Sequence, residues 1–179
     1  MRKLFKTNKP IEPLPFAVYY YTVLSIGLIG LFVAIYLSYS HYRVYTDIGY
    51  KSFCAISKAI NCDTVSQSAY SIFLGLPVAV WGIIGYIFFL LLLLIAKNKD
   101  AGSKRVWTLL FLIAATFTLY SIGLAAISTF YIQSYCIMCL VLYAVNLLLL
   151  FYTRMIRSRF KSSGLIDGFK KDIRFTVEA

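Results

Sequence analysis

Polar and apolar residues follow one another along this chain in long blocks, without the short alternation of a half-buried strand. Four apolar blocks, Phe16–Tyr39, Leu76–Ala96, Val106–Tyr131 and Cys136–Thr153, approach the roughly 20 residues a helix needs to cross bilayer hydrocarbon. The first block is preceded by basic residues, as a signal peptide would be. It is too long for one and no small-residue cleavage pattern follows, so it is read as a span. The connections are short. "KNKDAGSKR", residues 97–105, is a polar turn, and residues 132–135 leave so little chain that spans three and four must be antiparallel neighbours. The pattern predicts an all-α membrane protein, a bundle of four transmembrane helices. Ala114, Thr118, Ser121, Ala125 and Ser128 on span three are small residues at helical spacing, which allow close helix packing.

The loop from Ser40 to about Gly75 is too short to build a core and must lie across the end of the bundle. Within it "CDTVSQSAYSIFL" predicts a short amphipathic helix at the membrane surface, and Gly75 and Pro77 mark the start of span two. The expected organisation is a cytoplasmic N-terminus at 1–15, a membrane domain at 16–153 with loop 40–75 outside, and a basic cytoplasmic tail at 154–179. In that tail Leu165, Ile166, Phe169 and Ile173 fall on one helical stripe that suits a lipid surface.

Composition agrees, with 60% hydrophobic and only 14% charged residues. The net charge of +11 would suggest nucleic acid if it were spread evenly. Instead fifteen of the eighteen Lys and Arg flank the spans on one side, leaving Arg43, Lys51 and Lys58 for the other. That asymmetry places both termini in the cytoplasm and gives the charge a membrane role, so no nucleic-acid partner is expected. Tyr19, Tyr20, Tyr21, Tyr39, Tyr42, Tyr131 and Tyr135 fall near the expected interfaces, as an aromatic belt.

All four cysteines then lie on the opposite, oxidising side. Cys136 and Cys139 form a Cys-x-x-Cys at the start of span four, where unsatisfied N–H groups and the helix dipole favour a thiolate. Cys54 and Cys62 form a second pair in the loop. Three readings are open: a four-thiolate zinc site in a structural protein, two static disulfides, or a relay that passes electrons from an outside thiol to an apolar acceptor in the bilayer. No haem, flavin or iron–sulfur motif occurs, and a quinone is the two-electron acceptor that fits.

"CAISKAINCDTVSQSAYSIFLGLPVAVWGIIGY", residues 54–86, followed by "CIMCLVLYAVN", residues 136–146, resembles the vitamin K epoxide reductase family, especially its bacterial disulfide-forming members. The resemblance covers residues 16–153. It implies that Cys54 meets a periplasmic thioredoxin-fold partner, that Cys62 exchanges with Cys136, and that Cys139 faces the quinone. Ser68 and Tyr143 match family residues near the quinone, which would be ubiquinone, menaquinone or vitamin K. No resident metal is implied. The implied activity is oxidation of the partner and reduction of quinone to quinol in a bacterial inner membrane, with the loop capping the site. The alternative within the family is reduction of vitamin K or its epoxide by a thiol donor. The asparagine that eukaryotic members carry in span two has no counterpart in "PVAVWG", which favours quinone reduction. Many bacterial members carry a fused thioredoxin-like domain; here the partner is expected in trans.

Among the remaining polar residues, Asn146 is read as a cross-link to a neighbouring helix or as a quinone contact. Asp63 is read as holding the loop or pairing with Lys58, and His41 as interfacial or as a proton carrier.

Overall fold

A computed structural model of the chain describes residues 16–97 and 101–159. The expected N-terminal segment 1–15 and most of the basic tail, including its apolar stripe, lie outside the described residues. Four helices are long and apolar enough to cross a membrane: α1 (Phe16–Thr46), α3 (Val78–Ile95), α4 (Ala101–Ile127, continued by a π-helical turn at Ser128–Ile132) and α5 (Ile137–Arg159). Each of α1 and α4 packs against both α3 and α5, so that the helices close a ring in the order α1, α3, α4, α5. The α3–α4 contact is the sparsest of the four. Helix α2 (Cys62–Ser66) and a 3-10 turn at Ala69–Ser71 lie in the loop and supply the short helix expected there.

Apolar side chains point outward as well as inward, among them Phe32 and Ile35 on α1, Leu91 and Leu94 on α3, Leu119 and Ile122 on α4, and Leu148 and Phe151 on α5. Such a surface is untenable in water and suits hydrocarbon. The inward residues form a core of Val23, Phe89, Leu93, Trp107, Leu110 and Leu149 toward the end that carries Lys97, Arg105, Arg154 and Arg157. Gly30 lets α3 approach α1, because a Cβ there would collide with the ring of Tyr86.

The structure departs from the sequence reading in four places. Helix α1 continues two turns past Tyr39, because 40–46 contains neither Gly nor Pro; it stops at an Asx turn in which Gly49 N–H donates to Asp47 Oδ1 at 3.1 Å. Tyr19 and Tyr20 are buried in the core and only Tyr21 of that trio faces out, since three consecutive helical residues cannot share one face. The segment ahead of α3 is a tight antiparallel hairpin, β1 (Ile72–Phe73) and β2 (Leu76–Pro77), whose two turn residues, Leu74 and Gly75, both have positive φ. Pro77 therefore sits immediately before the first residue of α3. The fourth departure is the π turn, which widens the end of α4 before Gln133 turns the chain back in a left-handed conformation.

Candidate active site

The cysteines meet because two distant stretches of chain are zipped together. Ile60 and Tyr135 form a parallel β-bridge, with Asn61 N–H donating to Tyr135 O at 3.0 Å and Tyr135 N–H donating to Ala59 O at 2.8 Å. Just beyond the bridge on each strand come Cys62 and Cys136. Asn61 also caps α2, its Oδ1 accepting from Asp63 N–H at 2.9 Å and Thr64 N–H at 3.2 Å, so Cys62 is held as the first residue of that helix. Asp63 Oδ2 in turn accepts the Ser52 N–H at 3.2 Å, which brings in the arm that carries Cys54. Asp63 thus holds the loop; among the described residues it forms no ion pair with Lys58. Its other oxygen, Oδ1, is buried with no hydrogen-bond partner among the described residues.

Cys54 and Cys62 are joined by a disulfide, while Cys136 and Cys139 are free thiols. The sulfurs of Cys54, Cys62 and Cys136 all lie within 4.8 Å of one another and all three residues are buried, beneath Leu37 and Val65. Cys136 stands immediately before α5, and its Sγ takes the capping position by accepting the Cys139 N–H at 3.3 Å. Hydrogen bonding from the Cys139 thiol first, and from the backbone N–H groups of Cys139 and Met138, holds Cys136 below the ordinary thiol range. These outweigh its burial and the opposing charge of Asp63. A thiol of this kind is both a ready nucleophile and a good leaving group.

Below the sulfurs the bundle is hollow. A cavity of about 370 Å³ runs between α3, α4 and α5 and is roofed by the loop; Cys139, Tyr143 and Asn146 line it on α5, and Ser68 lines it from the roof. Its wall is otherwise largely apolar, with Phe117, Leu124 and Leu142 among its residues. The dimensions and lining suit a planar apolar ring with a few polar contacts. Tyr143 is half-buried and its hydroxyl is hydrogen-bonded to no other described residue. Ser68 spends its hydroxyl proton on Val65 O at 2.8 Å. Asn146 is buried and has both side-chain arms occupied: Oδ1 accepts from Tyr86 Oη at 2.5 Å, and Nδ2 donates to Ser121 Oγ at 2.8 Å.

Sequence reasoning missed Tyr86 and Asn61, and it read Ser121 as packing alone. Only the cap-forming Asn before a short polar helix carried a local signal. His41, also on the cavity wall, is tied to the roof, its Nδ1 lying 2.9 Å from Ser66 Oγ.

A family model described as vitamin K epoxide reductase matches residues 21–154, from the first span into the fourth. Comparison with curated proteins gives no match.

Proposed function

Because the chain belongs to the vitamin K epoxide reductase family of membrane oxidoreductases, which act on quinones or vitamin K, we propose that it is a thiol:quinone oxidoreductase serving a thioredoxin-fold partner. The observation that carries the proposal is the buried triangle of sulfurs at the head of an apolar cavity. The partner's reduced dithiol attacks Cys54, Cys62 leaves, and the partner's second thiol resolves the mixed disulfide. The partner departs oxidised and the loop holds two thiols. Cys62 then attacks Cys136 of a Cys136–Cys139 disulfide, and Cys139 leaves. Cys54 resolves the Cys62–Cys136 bond, helped by the low basicity of Cys136 as a leaving thiolate. The loop disulfide is restored and the membrane pair is left as two thiols, the state described here.

Those two thiols pass two electrons and two protons to a quinone held beside Cys139, and their disulfide re-forms as quinol leaves. Tyr143, one turn deeper and with its hydroxyl bonded to no described residue, donates a hydrogen bond to a quinone oxygen; Ser68 shapes the roof. The direction follows from potentials. A partner as oxidising as roughly −120 mV is reoxidised only by an acceptor of higher potential, with each 30 mV worth about 1.4 kcal/mol for two electrons. The basic residues at the end away from the cysteines, Lys97, Arg105, Arg154 and Arg157, support cytoplasmic termini and an active site facing the periplasm of a bacterial inner membrane.

Replacing Cys139 with Ala is expected to abolish quinone reduction by a reduced partner, because no Cys136–Cys139 disulfide can form for Cys62 to attack, whereas Cys54→Ala, which removes the resolving thiol, lets a Cys62–Cys136 disulfide accumulate in acid-trapped protein once quinone has oxidised the membrane pair. Quinone reduction that survives this substitution would sink the relay. Product analysis with vitamin K epoxide beside quinone separates epoxide opening from simple quinone reduction.

A further inference from the structure

We propose that the reduced form of this chain binds one thiophilic d10 cation of the zinc class through Cys54, Cys62 and Cys136, and that this capture holds the relay off. The geometry is the ground for it. Three thiolates bound tetrahedrally at about 2.3 Å from zinc stand a little under 4 Å apart. Cys54 and Cys62 are bonded to each other here and the Cys136 sulfur lies within 4.8 Å of both, so reduction leaves three thiols gathered at one place. The backbone beneath them is fixed independently of the disulfide, by the Ile60–Tyr135 bridge, the Asn61 cap and the Ser52–Asp63 bond. Cys139 lies outside the triangle and turns to the cavity.

The second ground is electrostatic. Among the described residues Asp63, next to Cys62 in the chain, leaves a carboxylate oxygen buried without a partner. A buried carboxylate oxygen with no bonded partner is costly, and a cation held on the neighbouring sulfurs relieves it. Binding transfers no electrons: the three thiols release their protons to water as sulfur–metal bonds form. Metal and loop disulfide exclude each other, so the site exists only after reduction, when reduced partner is plentiful and quinone scarce. The bound cation then occupies Cys54, which the partner attacks, Cys62, the nucleophile between the pairs, and Cys136, the sulfur that this nucleophile attacks. Binding itself needs only reduced thiols, and only its inhibitory consequence rests on the relay proposed above.

The test uses the full chain in detergent micelles, reduced with a phosphine, freed of reductant and titrated with cadmium. The readouts are thiolate-to-metal charge-transfer absorption and the sulfur count from X-ray absorption. One cadmium per reduced chain with three sulfur neighbours, and none on the oxidised chain, is the expected result. Cys139→Ser should retain cadmium within about threefold, whereas Cys54→Ser and Cys136→Ser should each weaken it by about a hundredfold. A simple Cys-x-x-Cys chelate gives the reverse, with two sulfurs, loss in Cys139→Ser and retention in Cys54→Ser, and overturns the proposal. So does a count of four sulfurs, or no binding to the reduced chain. The wild-type sulfur count decides even if a variant fails to fold. Separately, zinc should stop partner-to-quinone electron transfer and a chelator should restore it; if cadmium binds as expected and transfer is unaffected, the relay is at fault and the site is not.

Discussion

The two ends of this bundle share the same four helices and the same lipid, and they are built on opposite plans. At the basic end Leu93, Trp107, Leu110 and Leu149 have no exposed surface, and Tyr20 and Ile156 almost none. At the cysteine end the helices enclose a cavity of about 370 Å³, and polar groups from α1, α5 and the loop border it. In lipid, apolar side chains gain little by leaving the solvent, so helices are held together by packing contacts and a few interhelical hydrogen bonds. Cohesion therefore resides where packing is dense, and the hollow end is held in shape by specific bonds. Cutting into the dense end tests this most severely. Trp107→Ala should lower unfolding stability by about 2–3 kcal/mol, below the range for soluble cores because the transfer term is small in lipid. A denaturant titration in mild detergent measures it, and at temperatures where the variant is folded the rate of Cys62–Cys136 exchange should be unchanged. If exchange slows in proportion to stability, the two ends are not independent.

The chemistry at the hollow end has its own signature in pH. Because Cys136 is held below the ordinary thiol range, its thiolate is present at pH values where an ordinary thiol, with a pKa of about 8.5, is protonated. Alkylation of Cys136 by a small reagent should therefore fall off with a midpoint below that value, dropping about tenfold per unit of pH beneath it. Cys139→Ala removes the strongest of the hydrogen bonds that lower it and should move the midpoint upward, although it leaves the sulfur triangle whole. A midpoint that stays put would mean that the helix N-terminus alone sets the thiol.

A smaller effect is expected from Asn61→Ala, which deletes the cap of α2 but keeps the backbone bridge to Tyr135. Caps of this kind are worth about 1 kcal/mol. The loss should appear as slower formation of the trapped Cys62–Cys136 disulfide, measured by quenching at intervals, with the dense end unaltered.

How much of this was legible beforehand divides along the same line. Spans were legible because crossing a bilayer requires a run of apolar residues whatever they touch, so hydropathy and length were enough to find all four. Their ends were not, since α1 keeps its helix through Thr46 by the absence of breakers, outside the apolar run. The cysteines stood out by residue type, yet spacing left three arrangements open, and the pairing rested on resemblance. What brings the sulfurs together is long-range. The bridge joins Ile60 to Tyr135, the Cys54 arm hangs on Asp63, and the Tyr86–Asn146–Ser121 link spans three helices. No local pattern encodes a bond between residues so far apart. Tyr19 and Tyr20 show the converse, an interfacial residue type recruited into a core by the face it falls on.

The finest division between the two plans runs through Asn146, which lines the cavity and also ties the helices together. Its Oδ1 is taken by Tyr86 and its Nδ2 by Ser121, so neither arm is left to greet a ligand without breaking a bond in the protein. Interhelical hydrogen bonds in membranes average about 0.6 kcal/mol, and two of them set the scale of Asn146→Leu at about 1 kcal/mol, a loss readable by thermal denaturation. The Michaelis constant for quinone should rise by less than about threefold, because Leu keeps the volume of the wall and removes no contact to substrate. Tyr143→Phe should behave oppositely, since its hydroxyl bonds to no described residue: stability unchanged, and the Michaelis constant raised by about the factor of ten that one hydrogen bond supplies. If Asn146→Leu instead raises the Michaelis constant while stability holds, Asn146 releases Tyr86 or Ser121 when quinone enters, and the boundary between holding the bundle and holding the substrate lies one turn deeper than Tyr143.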